Sequence, residues 1–142
     1  MSYEEKFLQR AIELAEQGLG LTYPNPIVGA VIVDAAGTII GEGFHAGGDH
    51  AEVLAIADAR AKGHSLAGST LYCSLEPCNH FGRTPPCSAA IIMAGISEVF
   101  FALSDPNPTA AGGAQALAAA GIIVEGDLLT DETTYSNRAW LT

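Results

Sequence analysis

The sequence predicts an α/β fold: a mixed sheet of five strands with helices on both faces. Three observations predict it. Short runs rich in β-branched and aromatic residues alternate along the chain with segments of helical periodicity, the pattern of strands covered by helices. The first two strands are joined by a tight turn, Asp34 to Gly37, which makes that pair antiparallel. The later strands are separated by whole helices, which favours parallel pairing.

Each element has its own signal. From Tyr3 to Leu19, Phe7, Leu8, Ala11, Ile12, Leu14 and Ala15 recur at helical spacing, and Gly18 and Gly20 follow where a helix stops. Thr22 to Pro26 is a turn with prolines on both sides of Asn25. Ile27 to Val33 is an unbroken apolar run suited to a buried strand, and its hairpin partner is Thr38 to Gly43. A Gly-rich loop, His45 to Asp49, leads to a second helix carrying Ala51, Val53, Leu54, Ile56, Ala57 and Ala61 and ending at Gly63. Thr70 to Leu75 alternates as a strand does, and a loop rich in Pro, Cys and His runs from Glu76 to Pro86. The remainder reads as helix (Ser88 to Ala94), strand (Glu98 to Leu103), loop (Ser104 to Thr109), Ala-rich helix (Ala111 to Ala120) and strand (Ile122 to Glu125). In such sheets ligands sit beyond the carboxyl ends of the strands, where His45 to Asp49 and Glu76 to Pro86 would lie.

With 142 residues the chain has the size of one domain, and 49% hydrophobic residues exclude an intrinsically disordered chain. Sixteen acidic residues against six basic ones give a net charge of −10, which argues against nucleic-acid or anionic-membrane partners, since both require clustered Lys and Arg. The longest uncharged stretch, Pro106 to Val124, is broken by prolines and glycines and does not suit a membrane span. Three cysteines cannot all pair within one chain, and MSYEEKFLQR lacks the pattern of a secretory signal. A reducing, cytoplasmic setting is expected.

Two segments hold metal-ligand residues: His50-Ala51-Glu52 at a helix start, and Pro77-Cys78 followed by Pro86-Cys87, with eight residues between the cysteines. One imidazole and two thiolates suit zinc, and three protein ligands leave a fourth tetrahedral position open for water, as in catalytic rather than structural sites. A carboxylate beside such a water can take its proton and pass protons to a substrate, the role open to Glu52. Residues two apart on a helix point apart. His50 is therefore expected at the very first turn, its ring leaning outward while Glu52 faces the pocket. Cys87 follows two prolines, and a thiolate in the first turn of a helix gains from the helix dipole.

His-x-Glu with a later Pro-Cys-x-x-Cys is the signature of zinc-dependent base deaminases. This chain keeps HAE and PC and lengthens the cysteine spacing. That form, LEPCNHFGRTPPC at Leu75 to Cys87, together with PNPIVGAVIV at Pro24 to Val33 and DPNP at Asp105 to Pro108, resembles the amino-terminal deaminase domain of the bifunctional riboflavin-biosynthesis deaminase/reductase. The resemblance covers nearly the whole chain. It implies a three-layer α/β/α, cytidine deaminase-like fold and zinc as cofactor. The implied reaction is hydrolytic loss of the 2-amino group of 2,5-diamino-6-(5-phosphoribosylamino)pyrimidin-4(3H)-one, giving the 5-amino-2,4-dione and ammonia. It also implies His50, Cys78 and Cys87 as zinc ligands, Glu52 as proton shuttle, and Asn25, His45, His80, Arg83, Asp105 and Asn107 as pocket residues. Self-association is implied as well. Two features depart from the family: HAGGDH, His45 to His50, is shorter than the usual loop and lacks its proline, and no reductase domain follows within the 142 residues. The expectation is a single deaminase domain, 1–142, without an NADPH site.

The residues alone leave other readings open. Arg83, the only basic residue between Lys62 and Arg138, could contact a phosphate or remain a solvated loop charge. Asn25 and Asn107 sit on proline-fixed loops where an amide could read a heterocycle edge. Cys73 or His80 could close a four-ligand structural zinc site, although Cys73 alternates with Leu71 and Leu75 as a small core residue does. Asp105 could simply start a turn, and His64 reads as a surface residue. Rival functions are a zinc deaminase for another nucleoside, nucleotide or secondary-metabolite heterocycle, and a non-catalytic zinc-stabilised binding module.

Overall fold

In the computed structural model, residues 4–17, 27–44, 50–77, 87–103 and 113–128 are described, the side chains of Cys87 and Leu103 excepted. The element order is α1 (Glu5–Glu16), β1 (Gly29–Val33), β2 (Ile39–Phe44), α2 (Ala51–Ala61), β3 (Thr70–Leu75), α3 (Cys87–Ala94), β4 (Glu98–Leu103), α4 (Gly113–Ala119) and β5 (Ile123–Glu125). The five strands form one sheet in the order β2-β1-β3-β4-β5. β1 is antiparallel to both of its neighbours, and β3, β4 and β5 pair in parallel. Hence β2, β3, β4 and β5 all point one way, with β1 opposed. This is the mixed, five-stranded arrangement expected from the sequence.

Helices cover both faces. On one, Phe7, Leu8, Ala11 and Ile12 of α1 pack on Val31, Val33, Tyr72 and Phe100. On the other, Ala51, Ala55 and Ala59 of α2, Ile91 of α3 and Leu117 of α4 pack on Ala30, Ile32, Leu71, Cys73, Val99 and Phe101. β1 and β3 lie inside the sheet between these layers, so every residue of both is buried. That is why Ile27 to Val33 reads as a continuous apolar run. Tyr72 is fully buried between the rings of Phe7 and Phe100, at centroid distances of 5.4 and 5.3 Å, and its hydroxyl accepts a hydrogen bond from the Glu4 N–H that starts α1. The hairpin turn closes through Asp34, whose carboxylate accepts the N–H groups of Ala36 and Thr38 while Gly37 takes a φ of 84°.

The edge strand β2 is held from both sides. On the α1 side, the Arg10 guanidinium meets both carboxylate oxygens of Glu42, at 2.8 and 3.3 Å. On the α2 side, Asp58 accepts the Glu42 backbone N–H at 3.0 Å and pairs with Lys62. Lys62 and that N–H hold the Asp58 carboxyl below its ordinary range. The edge is thereby occupied rather than left open for another strand.

Gly41 and Gly43 of β2 set how deep α2 sits. A Cβ at Gly43 would lie 2.6 Å from the Ala51 carbonyl oxygen and 2.8 Å from the Ala55 nitrogen, and a Cβ at Gly41 would collide with the Ala55 carbonyl. Opposite them stand Ala51, Ala55 and Ala59, small residues at every fourth position. Helix backbone therefore lies directly on strand backbone. Gly43→Ala is expected to destabilise the fold by about 1–3 kcal/mol, the usual cost of overpacking, because its partners are backbone atoms that cannot rotate away. Urea denaturation of the two proteins checks this; equal midpoints would show that α2 does not rest on β2 at that depth.

Candidate metal and catalytic site

The direction of the strands decides where the candidate residues meet. α2 starts after the carboxyl end of β2, α3 after that of β3 and α4 after that of β4, and all three helices pack on the same face. The starts of α2 and α3 and the end of β3 therefore line one edge of the sheet. His50, Glu52, Cys87 and Pro77, the residue before Cys78, belong to those three points.

His50 is the N-cap residue of α2. Its backbone is extended, with φ −67° and ψ 152°, and its carbonyl accepts the first helical hydrogen bond from Leu54 N–H at 3.0 Å. Its side chain makes no capping bond to the helix and is exposed. Two residues on, Glu52 is only 3% exposed. The first turn thus turns the imidazole outward and the carboxylate inward, the divergence that the two-residue spacing requires.

Glu52 projects over β3. Burial raises the Cys73 thiol well above its ordinary pKa, and the Glu52 charge raises it further. Cys73 is fully buried in the core with Ala30, Ala55 and Ile91, so it is the core residue that its alternation suggested. Among the described residues no three His, Cys, Asp or Glu side chains are grouped to hold a metal. Cys87 is the first residue of α3, where aligned peptide dipoles favour a thiolate. Cys78, Asn25, His45, His80, Arg83, Asp105 and Asn107 lie outside the described residues.

The donor set fits zinc. An exposed imidazole at one helix start and a cysteine position at the neighbouring helix start stand at one edge with Pro77, which a second cysteine follows in sequence, and these residue types are borderline and soft donors. Residues 1–103 match the family model for the cytidine and deoxycytidylate deaminase zinc-binding region. The chain belongs to this family. The matched span includes His50, Glu52, Cys78 and Cys87, and the deaminase family's zinc is the cofactor of this chain.

Individual deaminases agree. The chain is 48% identical over 138 residues to the riboflavin biosynthesis protein RibD of Haemophilus influenzae, covering 95% of this chain and 36% of that protein. It is 46% identical over 141 residues to RibD of Escherichia coli, covering 97% and 37%. The crystal structure of a diaminohydroxyphosphoribosylaminopyrimidine deaminase/5-amino-6-(5-phosphoribosylamino)uracil reductase from Thermotoga maritima superposes with a TM-score of 0.94 at 48% identity, over 97% of this chain and 40% of that one. The dCMP deaminase of cyanophage S-TIM5, at 25% identity, gives a TM-score of 0.67 over 86% of this chain and 94% of that one. The chain spans little more than a third of the length of the RibD relatives. These likenesses establish the cytidine deaminase-like, three-layer α/β/α fold.

Gly41, Gly43 and Glu76 stand out in the structure but not in the motif search. Glycines spaced two apart in a strand, opposite alanines spaced four apart in a helix, were the available signal for the first two. For Glu76 the signal was an acidic residue between a strand and a proline. The Cys73 thiol is expected to resist alkylation at pH 8 in the native protein and to react once the protein is unfolded. Mass mapping of iodoacetamide adducts checks it, and rapid native labelling of Cys73 would contradict its place in the core.

Proposed function

We propose that this chain is a zinc-dependent deaminase acting on 2,5-diamino-6-(5-phosphoribosylamino)pyrimidin-4(3H)-one in riboflavin biosynthesis. The observation that carries the reading is a buried carboxylate, Glu52, set beside an outward-facing His50 at the same sheet edge as Cys87. Identity to RibD over nearly the whole chain supports the choice of substrate. His50, Cys78 and Cys87 would hold zinc, which when bound supplies Lewis-acid activation of water at neutral pH.

The chain's own residues do the rest. Glu52 takes a proton from the attacking water and gives it to the pyrimidine ring as the new C–O bond forms at the amino-bearing carbon. The remaining hydroxyl proton passes through Glu52 to the amino group. The C–N bond then breaks, ammonia departs and a carbonyl remains. Burial of Glu52 shields these transfers from bulk water. Asn25, His45, His80, Arg83, Asp105 and Asn107 are assigned to the pocket, with Arg83 toward the phosphate and the two amides toward the heterocycle.

A second reading, deamination of a pyrimidine nucleotide such as dCMP, is favoured by the likeness to the cyanophage enzyme. A substrate panel separates them, because activity on dCMP with none on the diaminopyrimidine would overturn the first. Within the first reading, Glu52→Gln is expected to keep about one zinc per chain and lose about 10²–10⁴-fold in ammonia release, the usual worth of a positioned acid/base. Metal analysis beside an ammonia assay checks both parts; full activity in the variant would remove Glu52 from the chemistry.

We place the enzyme in the cytoplasm as a single deaminase unit, 1–142, where its thiolates stay reduced; among the described residues no helix is long and apolar enough to cross a membrane. Self-association belongs to the same proposal. Met93 of α3 is 85% exposed beside a groove lined by Val53, Ile56, Ala57, Arg60 and Ala90. Sedimentation analysis should give a species larger than 14.6 kDa, and a monomer at micromolar concentration would refute it.

A further inference from the structure

We infer that Glu76 is a positioning residue that fixes the Cys78 segment against the segment carrying Asp105 and Asn107, an inference that rests on the deaminase reading above. Glu76 stands between the end of β3 at Leu75 and Pro77, and is 8% exposed. Its Oε2 accepts a hydrogen bond from the Ala114 N–H at 3.0 Å, 38 residues along the chain. Ala114 lies in the first turn of α4, where N–H groups have no partner within the helix. α4 is only seven residues long, has no acidic residue in its first turn, and is too short to be stable by itself. Its start therefore depends on what the rest of the fold supplies, and among the described residues the buried Leu117 side chain and the Glu76 carboxylate contribute to that.

The position of this bond in the chain gives it consequence. Two residues after Glu76 comes Cys78, with only Pro77 between them, and proline removes most of the backbone freedom at that link. Upstream of Gly113 runs the segment holding Asp105 and Asn107. One carboxylate, two residues before Cys78, thus ties the end of β3 to the first turn of α4, a few residues after Asn107. A bond that fixes these two described ends against each other spares the substrate the cost of ordering them on binding.

The test uses zinc-loaded protein of residues 1–142 and three variants. Glu76→Ala removes the acceptor, Glu76→Gln keeps an amide oxygen that can accept the same hydrogen bond, and Ala114→Pro removes the donor within the first turn of α4, where N–H groups have no partner within the helix. Glu76→Ala and Ala114→Pro should both raise KM by about tenfold, with a smaller fall in kcat and zinc retained, as outer residues around metal sites commonly do. Glu76→Gln should restore KM to near the wild-type value. Hydrogen exchange at the Ala114 amide should quicken in Glu76→Ala but not in Glu76→Gln. In cobalt(II)-substituted protein the visible absorption should shift in Glu76→Ala and Ala114→Pro only. Unchanged KM with faster exchange would overturn the inference, reducing Glu76 to a helix cap, and so would a Gln variant as impaired as the Ala variant. If Glu76→Ala does not fold, Ala114→Pro against Glu76→Gln decides by the same readouts. If wild-type protein releases no ammonia from the diaminopyrimidine, the proposed function fails, while the exchange and cobalt spectra still decide Glu76: no change in either overturns it.

Discussion

Everything at the candidate site hangs on the contact between α2 and β2. His50 and Glu52 occupy the first turn of α2, and that helix is located by Gly41 and Gly43 lying against the backbone of Ala51 and Ala55. Contact between two backbones leaves no side chain to give way, so the helix has one depth and one register. Asp58 adds a lock at its far end through the Glu42 N–H, and Arg10 holds the same strand residue from the opposite layer. The edge strand is thus a fixed plate on which the first turn of α2 is mounted. His50 and Glu52 gain from this, since first-turn residues are otherwise the ones that fray.

The same contact explains how a glutamate can be buried in an apolar layer. Small side chains at Ala51 and Ala55 keep α2 low, and Cys73, rather than a bulkier residue, lies on β3 beneath Glu52. Negative charge held there repels a second negative charge, which is one reason that the Cys73 thiol stays protonated and apolar in character. The cost of desolvating the carboxylate is offset at the first turn of a helix, where peptide dipoles favour negative charge.

The layers and elements were legible in the sequence because periodicity and burial are local. β1 reads as an apolar run and β3 as an alternating strand, both buried throughout, and the Asp34 turn with Gly37 announced the hairpin. Helix limits were less legible: α1 spans Glu5–Glu16 within a periodic stretch that continues to Leu19, and α4 is the seven residues Gly113–Ala119 of an alanine-rich run. Gly112-Gly113 breaks that run where α4 begins, and the Glu76 carboxylate meets the helix at the next residue, Ala114. The outward His50 and inward Glu52 followed from their two-residue spacing. Glu76 and the Gly41–Gly43 pair did not follow from spacing, because each acquires meaning only through a partner far along the chain.

A chain of net charge −10 for which a phosphorylated substrate is proposed must separate its charges in space. The basic side chains among the described residues lie away from the site edge or are already engaged: Arg10 with Glu42 and Glu13, Lys6 near Glu4, and Lys62 with Asp58 at the end of α2 opposite His50. Arg60 is likewise in the last turn of α2. Among the described residues, the positive field at this edge therefore comes from helix starts, where α2 and α3 both present their amino ends. Such partial charges favour negative charge in the first turns, where Glu52 is buried. On the proposed function a phosphate needs one full positive charge besides, and in LEPCNHFGRTPPC Arg83 is the residue assigned to supply it.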